Sequence, residues 1–393
     1  MMLFKRLKAL TIELFTSFLY YVVFLIPRNR KKGVFSYGAN AKYLFWDFQA
    51  KSLPFHCYLI LHDSSMAEHL HKKFPNVLYA GSWRAKWHMF TSKYFFCTVD
   101  TTELSFIASG GATVINLWHG VGIKKMGAIN KFANEDMAFK LNRLRKLFNP
   151  SYLSLHPQYL LSTSLLMNRH FADCFELKDN QIIEGMYPRC QFMMQSRETI
   201  LDYLHSIDDE KSVSLIDQFS SYEKVFLYMP TWRDSGSDIL TGAGFDFVQL
   251  EQLLAEKNYL FVLKLHPNTQ LDTAAINQCR HIMVLDKYLD LYPILPFTSM
   301  LITDYSSIYY DYLLLEDKEI LLFPYDEKEY LQSCRDFAFD YTEYTPGHRV
   351  YSFHEMLECI KNDILCPVIE RDNVLNIFWG DKKDLSTKLL NLL

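Results

Sequence analysis

From residue 33 onward the chain alternates short apolar runs with longer stretches whose apolar positions recur every three or four residues. The first half carries such runs at Gly33–Tyr37, Cys57–His62, Val77–Ala80, Tyr94–Val99 and Thr113–Trp118. The second half carries them at Val225–Met229, Leu260–Leu265, Ile282–Leu285, Met300–Thr303 and Ile320–Phe323. Continuous apolar runs of this length, bounded by turn residues, predict parallel strands buried on both faces. The intervening pattern predicts helices, for example over Phe247–Lys257 and Ser307–Leu315. Two successive series of β-α units predict an α/β fold of two doubly wound, Rossmann-type domains facing each other. The length of 393 residues agrees, being too great for one ordinary core. The polar stretch Ser206–Ser221 is the expected join, giving domains over 33–205 and 206–393. The last helices are expected to cross back onto the first domain.

The first 32 residues break this pattern. Leu10 to Ile26 is apolar apart from Glu13 and a few hydroxyls, with Lys5, Arg6 and Lys8 before it and Arg28, Arg30, Lys31 and Lys32 after. No small-residue cleavage site follows, which argues against a signal peptide. A bilayer span needs about 20 apolar residues, so this run is short for one. Apolar bulk between basic flanks suits a helix lying on an anionic membrane surface. The expectation is a protein at a membrane surface, peripheral or singly anchored. The ordinary alternative is a buried helix of the first domain.

Composition narrows the picture further. A 49% hydrophobic, 16% aromatic chain buries a core readily, and a net charge of −4 excludes a general nucleic-acid binder. The eight cysteines form no CxxC pair and no zinc-ligand spacing, as expected of scattered thiols in a reducing compartment. Homo-oligomerisation is left open by the sequence.

Candidate chemistry sits at the ends of four predicted strands, where open α/β sheets bind ligands, and suggests one cleft for a phosphorylated substrate. Trp118-His119-Gly120 follows the first-half run Thr113–Trp118. His119 is a candidate general base, Gly120 and Gly122 allow close backbone approach to a ligand, and Lys124 and Lys125 add positive charge. Pro230-Thr231-Trp232-Arg233-Asp234 ends another run, offering a hydroxyl at Thr231 and a phosphate-shaped fork at Arg233. His266-Pro267, with Lys264 two residues before, presents an imidazole that could stabilise a diphosphate. In Thr303-Asp304-Tyr305-Ser306-Ser307, Asp304 or Ser306 is expected to cap a helix starting near Ser307. The helix start and two hydroxyls would form an anion site, with Asp311 placed to bind ribose hydroxyls or to neutralise a base. Each feature also has an ordinary reading: a packed histidine, a turn with a surface arginine, a plain N-cap.

A phosphate-binding GxxxxGK[ST] loop is absent, as are a GxSxG elbow, a DxD motif and any obvious metal spacing. Helix N-termini, His, Lys and Arg can neutralise a diphosphate without metal. The expectation is therefore no cofactor and no metal.

Together the motifs resemble the CDP-glycerol glycerophosphotransferase family of teichoic acid and capsule synthesis. The matching strings are Asn116-Leu-Trp-His-Gly-Val-Gly-Ile-Lys124, Gly185-Met-Tyr-Pro-Arg189, Tyr228-Met-Pro-Thr-Trp-Arg-Asp234, Leu263-Lys-Leu-His-Pro267 and Leu301-Ile-Thr-Asp-Tyr-Ser-Ser-Ile-Tyr-Tyr-Asp-Tyr312. Phe323-Pro-Tyr-Asp326, Tyr330, Asp340-Tyr-Thr-Glu343 and Pro346-Gly347 extend the likeness, which covers roughly residues 110 to 350. The resemblance implies a GT-B-like fold, with the active site between its domains and the CDP-alditol donor held mainly by the second. It implies transfer of glycerol phosphate from CDP-glycerol to a hydroxyl of a lipid-linked saccharide or polymer, releasing CMP. It implies His119 as base, His266 on the diphosphate, and donor contacts from Arg189, Ser306, Ser307 and Asp311. Cys190 stands where the family usually has Asn, Lys264 where it commonly has Arg, and His348 where it often has Pro. The alternatives are CDP-ribitol transfer, a nucleotide-sugar glycosyltransferase of the same fold, and a non-catalytic nucleotide sensor.

Overall fold

The computed structural model describes residues 2–131, 135–233, 239–266, 269, 276–333, 336–380 and 385–390. Asp234, Pro267 and Cys334 lie outside these. The chain forms two compact units. The first comprises Met1–His119, Met126–Arg189 and Phe378–Leu393, and the second comprises Gly120–Lys125 and Cys190–Ile377. The change of unit at Arg189/Cys190 precedes the polar stretch at 206–221, which instead begins at the end of the helix Arg197–Ser206 and holds the amphipathic helix Glu210–Phe219.

The first unit holds a seven-stranded parallel sheet in the order β3-β2-β1-β4-β5-β6-β7. The strands are β1 (Asn29–Ser36), β2 (His56–Leu61), β3 (Val77–Tyr79), β4 (Ser92–Cys97), β5 (Thr113–Asn116), β6 (Tyr159–Ser162) and β7 (Ile182–Glu184). Alternation across the pleat feeds two cores. Val34 pairs with Phe95 on one face, and Phe35 with Phe96 on the other, where their rings stack at 4.3 Å. Both faces are covered, so the strands read as near-continuous apolar runs.

The second unit repeats the plan with a six-stranded sheet in the order β10-β9-β8-β11-β12-β13. Its strands are β8 (Lys224–Met229), β9 (Tyr259–Leu263), β10 (Ile282–Val284), β11 (Met300–Thr303), β12 (Glu319–Leu322) and β13 (His348–Arg349). Every residue of β9 is buried. The sequence pattern missed β6, β7 and β13. These have four, three and two residues and are set by their pairing: β6 to β5, β7 to β6 and β13 to β12. In each sheet the strand order reverses at the first strand, between β1 and β4 and between β8 and β11.

The N-terminal helix runs over Met2–Val22. Its inner face docks through Ser17 Oγ to the Phe148 carbonyl, the Tyr21 hydroxyl to the Leu147 carbonyl, and Tyr20 stacked on Phe106 at 4.9 Å. Arg28 then fastens the segment by donating to the carbonyls of Met89, Ser92, Ala108 and Gly110. Leu10, Ile12, Leu14, Phe15, Phe18 and Val22 on this helix are exposed, as are Phe24 and Leu25 just after it. No helix among the described residues is long and apolar enough to cross a membrane.

Candidate functional site

The first unit presents His119 at the carboxyl end of β5. The strand ends at Asn116, two residues before the expected boundary, because Trp118 adopts a positive φ of 50°. That backbone is unfavourable for a bulky side chain and must be held. Asn116 Oδ1 accepts from the Trp118 N–H at 2.8 Å. Asn40 Nδ2 donates to the Trp118 carbonyl at 2.6 Å and to that of Leu117 at 3.2 Å. Asn40 Oδ1 also accepts from the Arg189 N–H at 3.2 Å, so one buried amide ties the ends of β1, β5 and β7 together. Asn116 stood in the matched string without a role of its own, and Asn40 was not singled out from the sequence, because its contacts join segments 77 and more residues apart. The next glycine, Gly120, has φ 155°, which a side chain would resist.

The His119 ring lies against Trp118 with centroids 4.0 Å apart and is exposed at the surface. Surrounding protein desolvates the imidazolium, and the Arg189 guanidinium adds repulsion, so the pKa lies below the usual histidine value. Because the ring still meets water, the drop is smaller than complete burial would give. Arg189 itself is buried, with its guanidinium 5.5 Å from the Tyr187 ring.

The second unit gathers the remaining candidates along the carboxyl edge of its sheet. Strands β9, β8 and β11 are neighbours, so their ends lie within roughly 10 Å of one another. Pro230 is buried at the end of β8, and Thr231 Oγ1 is buried with no hydrogen bond among the described residues. Trp232 stacks on His266 at 5.5 Å with 30° between planes. His266 is exposed, and its pKa is lowered by partial burial, then by Lys264 and Lys287. Burial lowers the Lys264 pKa against the pull of Asp286 and Asp290, and its Nζ donates to the Lys287 carbonyl at 2.6 Å. Lys287, not anticipated from sequence, thus joins a patch of three basic groups beside an aromatic ring. The segment Gly120–Lys125 also belongs to this unit. A Cβ on Gly122 would meet Ser307 Cβ at 3.4 Å, and Lys124 Nζ lies 5.5 Å from the Tyr330 ring. Lys125 pairs with Asp336 at 2.6 Å.

Three expectations change. Arg233 is not an open phosphate fork. It is buried, and its guanidinium is taken up by Asp326 (2.6 and 2.7 Å), Asp304 (2.8 Å) and the Thr231 carbonyl. Burial opposes its charge, but hydrogen bonding to Asp326 and the two carboxylates outweigh that and raise its pKa. Asp304 does not cap a helix; its Oδ1 accepts from the N–H groups of Thr231 and Tyr305. The helix there is only Ile308–Tyr312 and carries no side-chain cap, with Ser306 Oγ 3.5 Å from the Ile308 N–H. So short a helix contributes little dipole, and the polar groups near it are the Ser306 and Ser307 hydroxyls. Asp311 is buried and accepts from the Tyr292 hydroxyl at 2.5 Å, which turns it into the protein. The sequence could not show these pairings because Asp326, the partner that claims Arg233, stands 93 residues away.

Among the described residues no group of three or more His, Cys, Asp or Glu side chains could hold a metal ion. The seven described cysteines are free, all buried except the half-buried Cys279.

Comparison with known proteins agrees with this architecture. The chain is 29% identical over 278 residues to the teichoic acid ribitol-phosphate primase of Bacillus spizizenii strain W23, covering 66% of this chain and 65% of that one. It thus spans about two thirds of that relative's length. It is 26% identical over 408 residues to the teichoic acid glycerol-phosphate primase of Bacillus subtilis strain 168, covering 99% and 98% of the two chains. The wall teichoic acid polymerase TagF shares the fold, with a TM-score of 0.69 at 19% identity over 99% of this chain and 95% of that one. The family described as CDP-glycerol:poly(glycerophosphate) glycerophosphotransferase matches residues 20–365, so the chain belongs to that family and is a transferase of its class.

Proposed function

We propose that this transferase moves glycerol phosphate from CDP-glycerol to a hydroxyl of a lipid-linked saccharide or poly(glycerol phosphate) acceptor, in the manner of a teichoic acid primase. The observation that carries this reading is the convergence of Lys264, His266, Thr231, Ser306 and Ser307 on neighbouring strand ends of the second sheet. That set supplies positive charge and hydroxyl donors suited to a diphosphate, with Gly122 and Lys124 beside it. His119, neutral at pH 7, accepts the acceptor's proton as the hydroxyl oxygen bonds to the β-phosphorus. The bond from that phosphorus to the bridging oxygen breaks, and CMP leaves. Catalysis rests on position and electrostatics without a covalent intermediate. The basic groups supply the counter-charge, so no metal is required. Attachment to an anionic membrane surface on the cytoplasmic face belongs to the same proposal, and the exposed apolar row of the N-terminal helix supports it.

The test is nucleotide release by the purified chain, CMP from CDP-glycerol or CDP-ribitol and UDP from a UDP-sugar, with a lipid-linked glycerol-phosphate acceptor and with or without EDTA. Release from CDP-glycerol that survives EDTA is expected. Release from CDP-ribitol alone would move the protein to ribitol transfer, a reading the similarity to a ribitol-phosphate primase keeps in view. Turnover of the UDP-sugar alone would overturn both.

A further inference from the structure

We propose that Asp326 is a positioning residue for the donor, acting with Asp304 through Arg233 to hold the loops that carry Thr231, Trp232, Ser306 and Ser307; this rests on the donor-binding reading above. Three loops meet at one guanidinium. Arg233 follows β8, Asp304 follows β11 and Asp326 follows β12, on adjacent strands of the sheet. Asp326 takes Arg233 in a two-bond fork, and Asp304 takes its remaining edge while accepting the Thr231 and Tyr305 N–H groups. The planar fork fixes direction as well as distance, so the loops cannot slide independently. Tyr305, Tyr325 and Tyr330 surround the guanidinium at 5.2, 5.7 and 4.9 Å and exclude water. The coupling reaches the patch directly, since Trp232 precedes Arg233 and stacks on His266, and Ser306 and Ser307 follow Tyr305.

A buried ion cluster is a poor way to gain stability, because desolvation offsets much of the attraction. Its geometric fixity is the better reason for placing one beside a site. The opposite edge of the same sheet supplies a control. There Asp363 pairs with Lys224 at 2.9 Å, with Lys257, and with the Tyr259 hydroxyl at 2.6 Å, at the starts of β8 and β9.

The experiment compares Asp326→Asn with Asp363→Asn in the full chain, reading thermal stability, amide hydrogen exchange without substrate, and KM and kcat for CDP-glycerol. In Asp326→Asn, faster exchange in both 231–233 and 304–307 is expected, together with a KM raised roughly 10-fold or more. Asp363→Asn should lower the melting temperature while leaving that exchange and KM unchanged. Unaltered loop exchange or KM in Asp326→Asn overturns the proposal, as does an equal KM change in both variants. If Asp326→Asn does not fold, Asp326→Glu carries the test, since it keeps the charge but displaces the fork. A wild-type chain that turned over no CDP-glycerol would sink the donor reading, and the exchange result would still decide whether Asp326 sets the loops.

Discussion

His119 combines accessibility with a depressed pKa. The exposed ring can meet a hydroxyl, and desolvation with the Arg189 charge keeps it unprotonated and ready to accept a proton at neutral pH. We expect His119→Ala to abolish CMP release while CDP-glycerol binding, measured by calorimetry, persists; loss of both together would count against the base role. His266 gives a second expectation with a definite sign. Its pKa lies below the ordinary value in the free protein, because of burial and the neighbouring lysines. A diphosphate placed beside it favours the protonated form and raises that pKa. Donor binding should therefore take up protons near pH 6 and release none at pH 8. Calorimetry in buffers of different ionisation enthalpy would show this, and the uptake should vanish in His266→Gln. The candidate histidines were legible from their strand-end strings. Asn40, which helps to make the Trp118 backbone tenable, was not, since nothing local marks it.

At the scale of elements, the N-terminal helix is fixed by close backbone packing. A Cβ on Gly110 would lie 2.0 Å from the Tyr20 carbonyl oxygen, and neither backbone can yield without breaking the Arg28 contacts. Gly110→Ala should therefore destabilise the first unit by about 1–3 kcal/mol and loosen the helix first. Denaturant unfolding gives the first quantity, and limited proteolysis near residue 26 the second; intact protection there would refute the packing argument. The period of Phe247–Lys257 located that helix to the residue; Asp246, which caps it by accepting from the Val248 and Gln249 N–H groups, was not anticipated. Ser307–Leu315 kept its start to within a residue but ends at Tyr312, and Arg371 takes the carbonyls of Leu313 and Leu315 just beyond. The expected Asp304 cap is lost to Arg233, because a capping pattern is local and a buried ion pair outweighs it.

For the whole molecule, the open question is where it works. Phe15 and Phe18 are 60% and 61% exposed on a helix whose other face is firmly docked. A bilayer surface would bury them, at about 1.5–3 kcal/mol per ring. Co-sedimentation with phosphatidylglycerol vesicles should be strong at low salt and weaken as salt screens the basic flank. Phe15→Ser with Phe18→Ser should reduce the bound fraction at least roughly 10-fold. Binding unchanged in that variant would return the helix to the role of a simple structural element.

The strings around His119, Thr231, His266 and Ser306 and the apolar runs before them were enough to establish two α/β series, the family and the loops that carry its chemistry. Those features are local, and short-range pattern is what a sequence displays. Tertiary structure alone decided the strand order, and with it that β8 and β11 are neighbours whose loops share one edge. It decided that Arg233 belongs to Asp304 and Asp326, and that Asp311 turns inward to Tyr292. It also assigned Gly120–Lys125 to the second unit, far along the chain from the rest of it. Charge pairing and burial are settled by distance in space, and residues 93 positions apart carry no mark of it in the sequence.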